Sequence, residues 1–152
     1  MAEHVWSVLC QKVLINQETQ LVSLVEIPEK FIADISQGGP VEELNRALDQ
    51  GKKGVRYPVA LQLVSWWVRS NYSKAEKVEI RISVFDPSGE QLSYQNWELD
   101  LSESTGFRAI FKLNQIFVTG HGLYWYVVDR KIGKGKNPRW ETVARLPLEI
   151  TV

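Results

Sequence analysis

Apolar and polar residues alternate along much of this chain with a period of two, most regularly over residues 78–85. Branched apolar side chains occupy the even positions of that segment, and Glu79, Arg81 and Ser83 lie between them. A period of two places one face of a strand against a core and the other face in water. The Asp-Pro-Ser-Gly sequence of residues 86–89 then predicts a tight turn, because proline fixes φ and glycine accepts a positive φ. The pattern therefore predicts a strand of a half-buried antiparallel sheet, followed by a turn.

Similar patterns recur along the rest of the chain, so we predict an all-β protein of about eight strands. The predicted strands cover residues 5–15, 21–27, 57–68, 78–85, 91–101, 107–118, 123–128 and 140–152. The first two form a hairpin around a polar turn. The third is a central strand, because apolar residues occur at both of its parities. This series of short strands favours an antiparallel β-sandwich or barrel.

Two details of the strand pattern predict irregularities. The apolar positions change phase within residues 91–101, which predicts a β-bulge near Gln95 and Asn96. Residues 140–152 carry their apolar side chains on one parity from Trp140 onward, and Pro147 favours an edge position for this strand.

One segment interrupts the strands with helical spacing. We interpret residues 36–56 as a helical insertion with one short helix near residues 40–50. The helix begins with a proline and two glutamates, which suit the positive end of its dipole, and a glycine follows its end. Val41, Leu44 and Leu48 share one apolar face by helical spacing.

Length and composition are those of one ordinary globular domain, which we assign to residues 1–152. Of the 152 residues, 44% are hydrophobic and 24% are charged. The 18 basic and 18 acidic residues cancel, which disfavours broad binding to nucleic acid or an anionic membrane. Cys10 is the only cysteine, so no intrachain disulfide can form. No leader pattern opens the sequence and no apolar run approaches ~18 residues, so we expect a cytoplasmic protein.

Residues that carry catalysis or bind metals are sparse. His4 and His121 have no second histidine or cysteine at ligand spacing, which argues against a zinc site. The aspartates show no clustered Asp-x-Asp pattern of the kind that binds calcium. The glycine–lysine loop at 133–136 lacks the spacing and the following helix of a phosphate-binding loop. We therefore predict no metal and no cofactor, and we rank a hydrolase last among the function classes.

Aromatic and basic residues are the features that suggest binding. Six tryptophans are many for this length, and tryptophan is frequent at binding hot spots. The basic loop, residues 131–139, would engage phosphate or an acidic partner, or else form a solvated tip whose charges oppose aggregation. The candidate interaction residues are Trp66, Trp67, Lys134, Lys136, Arg139 and Trp140. Adjacent strand residues point to opposite faces, so only one of the paired tryptophans can face the core.

The order of several short segments resembles a known pattern. These segments are residues 8–15, 21–27, 57–58, 78–89, 122–124 and 146–148. In this order they resemble a family of uncharacterised bacterial β-sandwich proteins, a domain of unknown function. The resemblance covers most of the chain apart from 36–56 and implies a two-sheet sandwich with an Ig-like or C2-like Greek key. In such a sandwich, Tyr124 is expected to form a tyrosine corner, its hydroxyl bonding to the backbone upstream. The resemblance implies no activity.

These observations favour a non-enzymatic protein-interaction or structural module. Its partner would be another protein or a second copy of the chain. The alternative is a sandwich that binds a carbohydrate or another small ligand on exposed aromatic rings. The exposure of the tryptophans distinguishes these hypotheses.

Overall fold

The computed structural model describes residues 1–25, 27, 30–32, 40–133 and 135–151, which form ten strands and one helix. In chain order these are β1 (Glu3–Cys10), β2 (Lys12–Ile15), β3 (Val22–Val25), β4 (Lys30–Ile32), α1 (Pro40–Asp49), β5 (Val55–Val68), β6 (Lys77–Phe85), β7 (Gln91–Asp100), β8 (Gly106–Val118), β9 (Gly122–Ile132) and β10 (Arg139–Thr151). The predicted all-β class is confirmed. The strand count exceeds the predicted eight because the first predicted strand divides at Gln11 and because β4 was not predicted.

The strands form two facing sheets and a separate hairpin. One sheet has the order β1-β5-β8, the other has the order β4-β10-β9-β6-β7, and β2 pairs with β3. Neighbouring strands run antiparallel except β4 and β10, which are parallel. The predicted two-sheet sandwich and its first hairpin are therefore confirmed.

The core lies between the two sheets. Leu61, Leu63 and Trp67 face it from alternate positions of β5, and Val78 and Ile80 face it from β6. β5 lies between β1 and β8, which confirms the prediction of a central strand. Alternation thus sends one face of each strand inward, as a period of two requires.

The bulge in β7 is not where the sequence predicts it. β6 and β7 pair in regular register along residues 93–100, so the bulge predicted near Gln95 and Asn96 is wrong. The irregularity lies at Leu92, next to the turn. The apolar pattern misled here because Trp97 and Leu99 face inward near an open side of the sheet, where Gln95 also faces inward.

A register shift in β10 between Thr142 and Ala144 changes which face each half of the strand presents. Ala144 and Leu148 face the core. Trp140 lies on the outer face, since a bulge moves the alternation by one residue. The prediction of a single apolar face from Trp140 onward is therefore wrong at Trp140.

The end of α1 follows the sequence prediction. Gly51 has a φ of +74° and donates its amide to the carbonyl of Leu48 at 2.9 Å. The amide of Lys52 donates to the carbonyl of Ala47, also at 2.9 Å. These two bonds are a Schellman motif, which satisfies carbonyls that the helix itself cannot pair.

The buried face of α1 differs from the predicted face. Leu44 and Ala47 are buried, whereas Leu48 is 43% exposed. The predicted face is therefore wrong at Leu48, because the helix contacts β5 through a narrower stripe. The side chain of Val41 and residues 36–39 lie outside the described part of the chain.

Tyr124 closes the connection between β8 and β9. Its hydroxyl accepts hydrogen bonds from the amides of Thr119 at 2.9 Å and Gly120 at 3.1 Å, and it donates to the carbonyl of Gly120 at 2.8 Å. The tyrosine side chain is buried, so these bonds replace water for three backbone groups. The predicted bonding of this hydroxyl to upstream backbone is confirmed.

The two sheets differ in width, which leaves one side of the sandwich open. β1 contacts β10 on one side, and β8 contacts β7 on the other. Between these two contacting sides, the three strands β1-β5-β8 face the four strands β10-β9-β6-β7. Neighbouring strands are about 4.8 Å apart in any sheet, so three strands do not fully cover four. The inner side of β7 and the adjoining part of β6 are therefore open beside β8.

Candidate functional site

Trp67 belongs to the core. It is 0% exposed, and its Nε1 donates a hydrogen bond to the Oγ of Ser65 at 2.7 Å. Its ring contacts the His4 ring edge-on, with 5.1 Å between centroids. The prediction that Trp66 and Trp67 face opposite ways is confirmed, and of the two only Trp66 reaches the surface.

Trp66 and Trp140 lie on opposite outer faces of the sandwich, each beside an arginine. The Cζ of Arg108 is 5.5 Å from the ring centroid of Trp66. The Cζ of Arg81 is 4.6 Å from that of Trp140, and Arg81 also pairs with Asp129 at 2.7 Å. Both rings are half-buried. The structure therefore does not bring these two tryptophans together.

The basic loop lies at the connection between β9 and β10. Lys136 and Arg139 are exposed there, and Lys134 lies outside the described residues. Trp140 follows Arg139 directly in β10 but contacts Arg81, and no described contact joins it to Lys136 or Arg139. They do not converge with Trp66.

An apolar cleft occupies the open side of the sandwich, with a volume of about 680 Å³. Its walls are β7 and β8, and Ile82, Val84 and Tyr126 form its base. Trp97 and Phe111 contact each other across it, with 5.2 Å between ring centroids. Ligand sites in proteins are typically about 300–1,000 Å³ and mostly apolar, so this cleft has the dimensions of a binding site.

Both walls of the cleft are strand edges. Among the described residues, β7 pairs only with β6, and β8 pairs only with β5. The wall formed by β8 is continuous from Phe107 to Phe117. Alternate backbone N–H and C=O groups of an edge strand point away from its one neighbour and are free to pair with a further strand. The cleft therefore combines apolar side chains with two rows of hydrogen-bonding groups.

β8 carries different chemistry on its two faces. Its inner face carries Phe107, Ala109, Phe111 and Leu113, and its outer face carries Arg108, Ile110 and Lys112. Phe107 is 38% exposed, so the apolar face extends to the mouth of the cleft. Neither Arg108 nor Lys112 has a carboxylate partner within the described part of the chain.

β7 differs from β8 because its acidic groups are paired. The Nζ of Lys77 lies 3.1 Å from Glu98 and 3.2 Å from Asp100. Hydrogen bonds from Ser102 and then from Lys77 lower the pKa of Asp100 to about 2, so this carboxylate is charged at neutral pH. Trp97, which is 44% exposed, supplies the apolar surface of this wall.

A hydrogen-bonded polar chain links β1 and β5 in the first sheet. The Nε2 of His4 is 2.8 Å from the Oγ of Ser7, which is 2.8 Å from the Oγ of Ser65. Burial and then the positive charge of Arg130 lower the pKa of His4, which favours the neutral imidazole. Among the described residues no carboxylate bonds to this imidazole, and Ser65 is fully buried. The chain thus satisfies buried polar atoms and lacks the arrangement of a Ser–His–acid triad.

Within the described ranges, no group of three or more His, Cys, Asp or Glu residues is placed to hold a metal ion. No helix in the same ranges is long and apolar enough to cross a membrane.

Sequence reasoning did not identify Trp97, Phe111 or the two edges as a site. The available signal was the alternation of apolar and basic residues in 107–113, which predicts a strand but does not reveal its position in a sheet. Edge strands and interior strands of an antiparallel sheet share the same period of two. The cleft therefore emerges only from the strand order.

Comparison with protein-family models, with curated proteins and with solved structures finds no match for this chain. The resemblance to an uncharacterised bacterial sandwich family stays a prediction.

Proposed function

We propose that this protein is a non-enzymatic interaction module that binds an extended segment of a partner protein in the cleft between β7 and β8. The segment pairs with the free edge of β8 and directs alternate apolar side chains toward Trp97 and Phe111. One observation carries the proposal, namely an apolar cleft bounded by two strand edges that have no further neighbour among the described residues. Strand addition of this kind derives affinity from the backbone and specificity from alternate side chains.

Two physical effects favour an added strand at this place. A strand beside β8 would lie opposite β7, so that four strands face four. It would also remove water from Trp97 and Phe107, which are 44% and 38% exposed. Fully burying a large apolar side chain contributes about 1.5–3 kcal/mol, so partial burial of these two rings contributes a fraction of that each.

The first experiment measures binding of a fluorescein-labelled nine-residue peptide that alternates valine and threonine. Fluorescence anisotropy with the full chain is expected to show saturable binding. The variant Phe107→Asp places a charge at the mouth of the cleft and is expected to weaken binding about tenfold or more, since a charge is costly to bury without a partner. The control is Tyr72→Asp, at a loop residue that is 73% exposed and does not line the cleft. Equal binding by both variants would contradict the proposal.

A second experiment tests whether the backbone of the peptide is used. Two versions carry N-methyl groups on one or the other alternate set of amides. A strand that pairs with β8 uses only the amides on one of its edges, so one version is expected to lose binding and the other to keep it. Equal affinities of the two versions would argue against strand addition.

A small apolar ligand in the same cleft is a second candidate function. It is favoured by the cleft volume of about 680 Å³ and by the Tyr126 hydroxyl at its base, which makes no hydrogen bond within the described part of the chain. The dye 8-anilinonaphthalene-1-sulfonate distinguishes the two. Dye fluorescence that Phe107→Asp abolishes, without binding of any peptide, would favour the small ligand.

A further inference from the structure

We infer that the segment bound at β8 is acidic, with carboxylate side chains at the positions between its apolar residues. The inference rests on the proposed function, since it names the chemistry of the partner for the same cleft. It also implies that pairing of β8 with a second copy of this chain is unfavourable.

Two unpaired cations on the outer face of β8 carry the inference. Arg108 and Lys112 lie four residues apart on one face, with Ile110 between them. The described residues offer neither of them a carboxylate, whereas Lys77, Arg81 and three further cations of the described part form ion pairs. The outer face of β8 is therefore positively charged along its free edge.

The state of Arg108 strengthens this point. Its guanidinium lies over the Trp66 ring, with 5.5 Å between Cζ and the ring centroid, so the ring limits its movement. Its Nε is buried and donates no hydrogen bond within the described residues. The guanidinium makes no hydrogen bond or ion pair within the described residues, so its remaining nitrogens are free to donate to a carboxylate beside β8.

The geometry of paired strands brings such an acceptor into reach. Side chains directly opposite each other on neighbouring strands have Cβ atoms about 4.5–5.5 Å apart, and diagonal neighbours about 7–8 Å. A segment whose apolar residues face the cleft directs its intervening residues to the outer face. Carboxylates there come beside Arg108 and Lys112, whereas lysines would be repelled.

β7 offers no comparable positive charge. Its acidic residues Glu98 and Asp100 already share Lys77 at 3.1 and 3.2 Å. These two carboxylates outnumber the lysine by one negative charge, so the positive charge beside the cleft lies on β8.

The same cations disfavour pairing of β8 with a second copy. In antiparallel pairing centred on Ile110, Arg108 of each copy lies opposite Lys112 of the other. Pairing centred on either cation places that residue against itself. Like charges directly opposite each other destabilise a strand pair, so charge selects an acidic partner over self-association in these registers.

The test compares three labelled nine-residue peptides that alternate valine with glutamate, threonine or lysine. Anisotropy with the full chain at low salt is expected to show about fivefold tighter binding of the glutamate peptide than of the threonine peptide, and weaker binding of the lysine peptide. The preference should disappear at high salt, because exposed charges are screened. Threonine forms strands more readily than glutamate, so intrinsic propensity works against the expected order.

Variants test whether the preference for the glutamate peptide comes from β8. The double variant Arg108→Glu/Lys112→Glu is expected to prefer the lysine peptide. Lys112→Thr leaves the contact between Arg108 and Trp66 unchanged and is expected to reduce the preference for the glutamate peptide. Lys136→Glu is the matched control at an exposed cation outside the cleft, and it should keep the original order. Circular dichroism of each variant verifies that it folds.

The outcomes separate the inference from the proposed function. If the threonine peptide binds and the glutamate peptide binds no tighter, or if both charge variants keep the original order, the inference is wrong and the proposed function stands. If none of the three peptides binds, the proposed function is wrong and the inference falls with it.

Discussion

Adjacent tryptophans in β5 have different environments because a strand points neighbouring side chains to opposite faces. Trp67 is enclosed between the sheets and bonded to Ser65, while Trp66 lies on the outer face beside Arg108. The stability of the fold should therefore depend on one of them far more than on the other. A large aromatic residue is thus informative about function only once its face is known.

Replacement of Trp67 by alanine is expected to lower the free energy of unfolding by about 3–5 kcal/mol, since it removes a buried ring and leaves a cavity. Trp66→Ala, at the half-buried neighbour, is expected to cost about 1 kcal/mol. Urea denaturation followed by far-ultraviolet circular dichroism measures both. A similar loss in the two variants would mean that Trp67 is not the more deeply packed ring.

Tyr124 and Tyr126 provide a matched pair for measuring how much one buried hydroxyl contributes to the free energy of unfolding. Both are buried, at 2% and 3% exposure, but only Tyr124 bonds to the backbone of Thr119 and Gly120. Tyr124→Phe leaves buried backbone groups unpaired and is expected to cost about 1–3 kcal/mol. Tyr126→Phe, the control, should change stability little in the same urea experiment. A larger loss at Tyr126 would contradict a structural role for the Tyr124 hydroxyl.

At the scale of elements, the turn between β6 and β7 is held by one carboxylate. Asp86 accepts hydrogen bonds from the amide of Ser88 at 2.9 Å, from its hydroxyl at 2.6 Å and from the amide of Glu90 at 2.9 Å. Its second oxygen accepts one from Thr119 at 3.3 Å, which ties the turn to the end of β8. Burial alone would raise the pKa of Asp86, but these hydrogen bonds outweigh it and hold the pKa below its ordinary value.

This pKa has a consequence for stability at acid pH. A carboxylate with a lowered folded-state pKa stabilises the fold above its unfolded pKa of about 4, and that contribution is lost as pH falls through the folded value. Asp86→Ala should therefore be less stable than the wild type at neutral pH, with a difference that shrinks below about pH 4. Urea denaturation over this range measures the difference. Glu103→Ala, at an exposed loop carboxylate, is the control, and a pH-independent difference for Asp86→Ala would contradict the assignment.

At the scale of the whole molecule, unequal sheet widths leave one side of the sandwich open. Within the described residues three strands face four, so the inner side of β7 is open and β8 has a free edge. Most β-sandwiches protect such edges with charges or short strands. In our proposal, Arg108 and Lys112 oppose pairing with a second copy and attract an acidic segment.

Variants that reverse the charges of Arg108 and Lys112 test whether these charges control self-association. Lys112→Glu makes the outer face of β8 self-complementary in antiparallel pairing centred on Ile110, because Arg108 then lies opposite a carboxylate. This variant is expected to self-associate more strongly than the wild type in sedimentation velocity at low salt. The double variant Arg108→Glu/Lys112→Glu restores like charges and should sediment as the wild type does. Equal sedimentation of all three proteins would show that these charges do not control pairing at β8.

The amount of this structure that the sequence predicts depends on the range of the interactions involved. The alternation in β6, the Schellman end at Gly51 and the corner at Tyr124 follow from local geometry and are confirmed. The bulge predicted near Gln95 and Asn96 is wrong, because inward-facing residues at an open side of a sheet need not be apolar. Trp140 is on the unexpected face because one extra residue in β10, between Thr142 and Ala144, places Trp140 and the later apolar residues on opposite faces of the sheet.

The sequence by itself determined most of the strands, their inner faces over regular stretches, the helix end and the all-β class, since each of these is set by residues within a few positions of each other. Only the tertiary structure decided that, among the described residues, β7 and β8 are edges, that Trp97 contacts Phe111 and that Arg108 and Lys112 have no carboxylate partner. The physical reason is that strand order depends on pairing between segments far apart in the chain, and interior and edge strands carry the same alternation. The candidate site is a product of that order, which is why no motif in the sequence marks it.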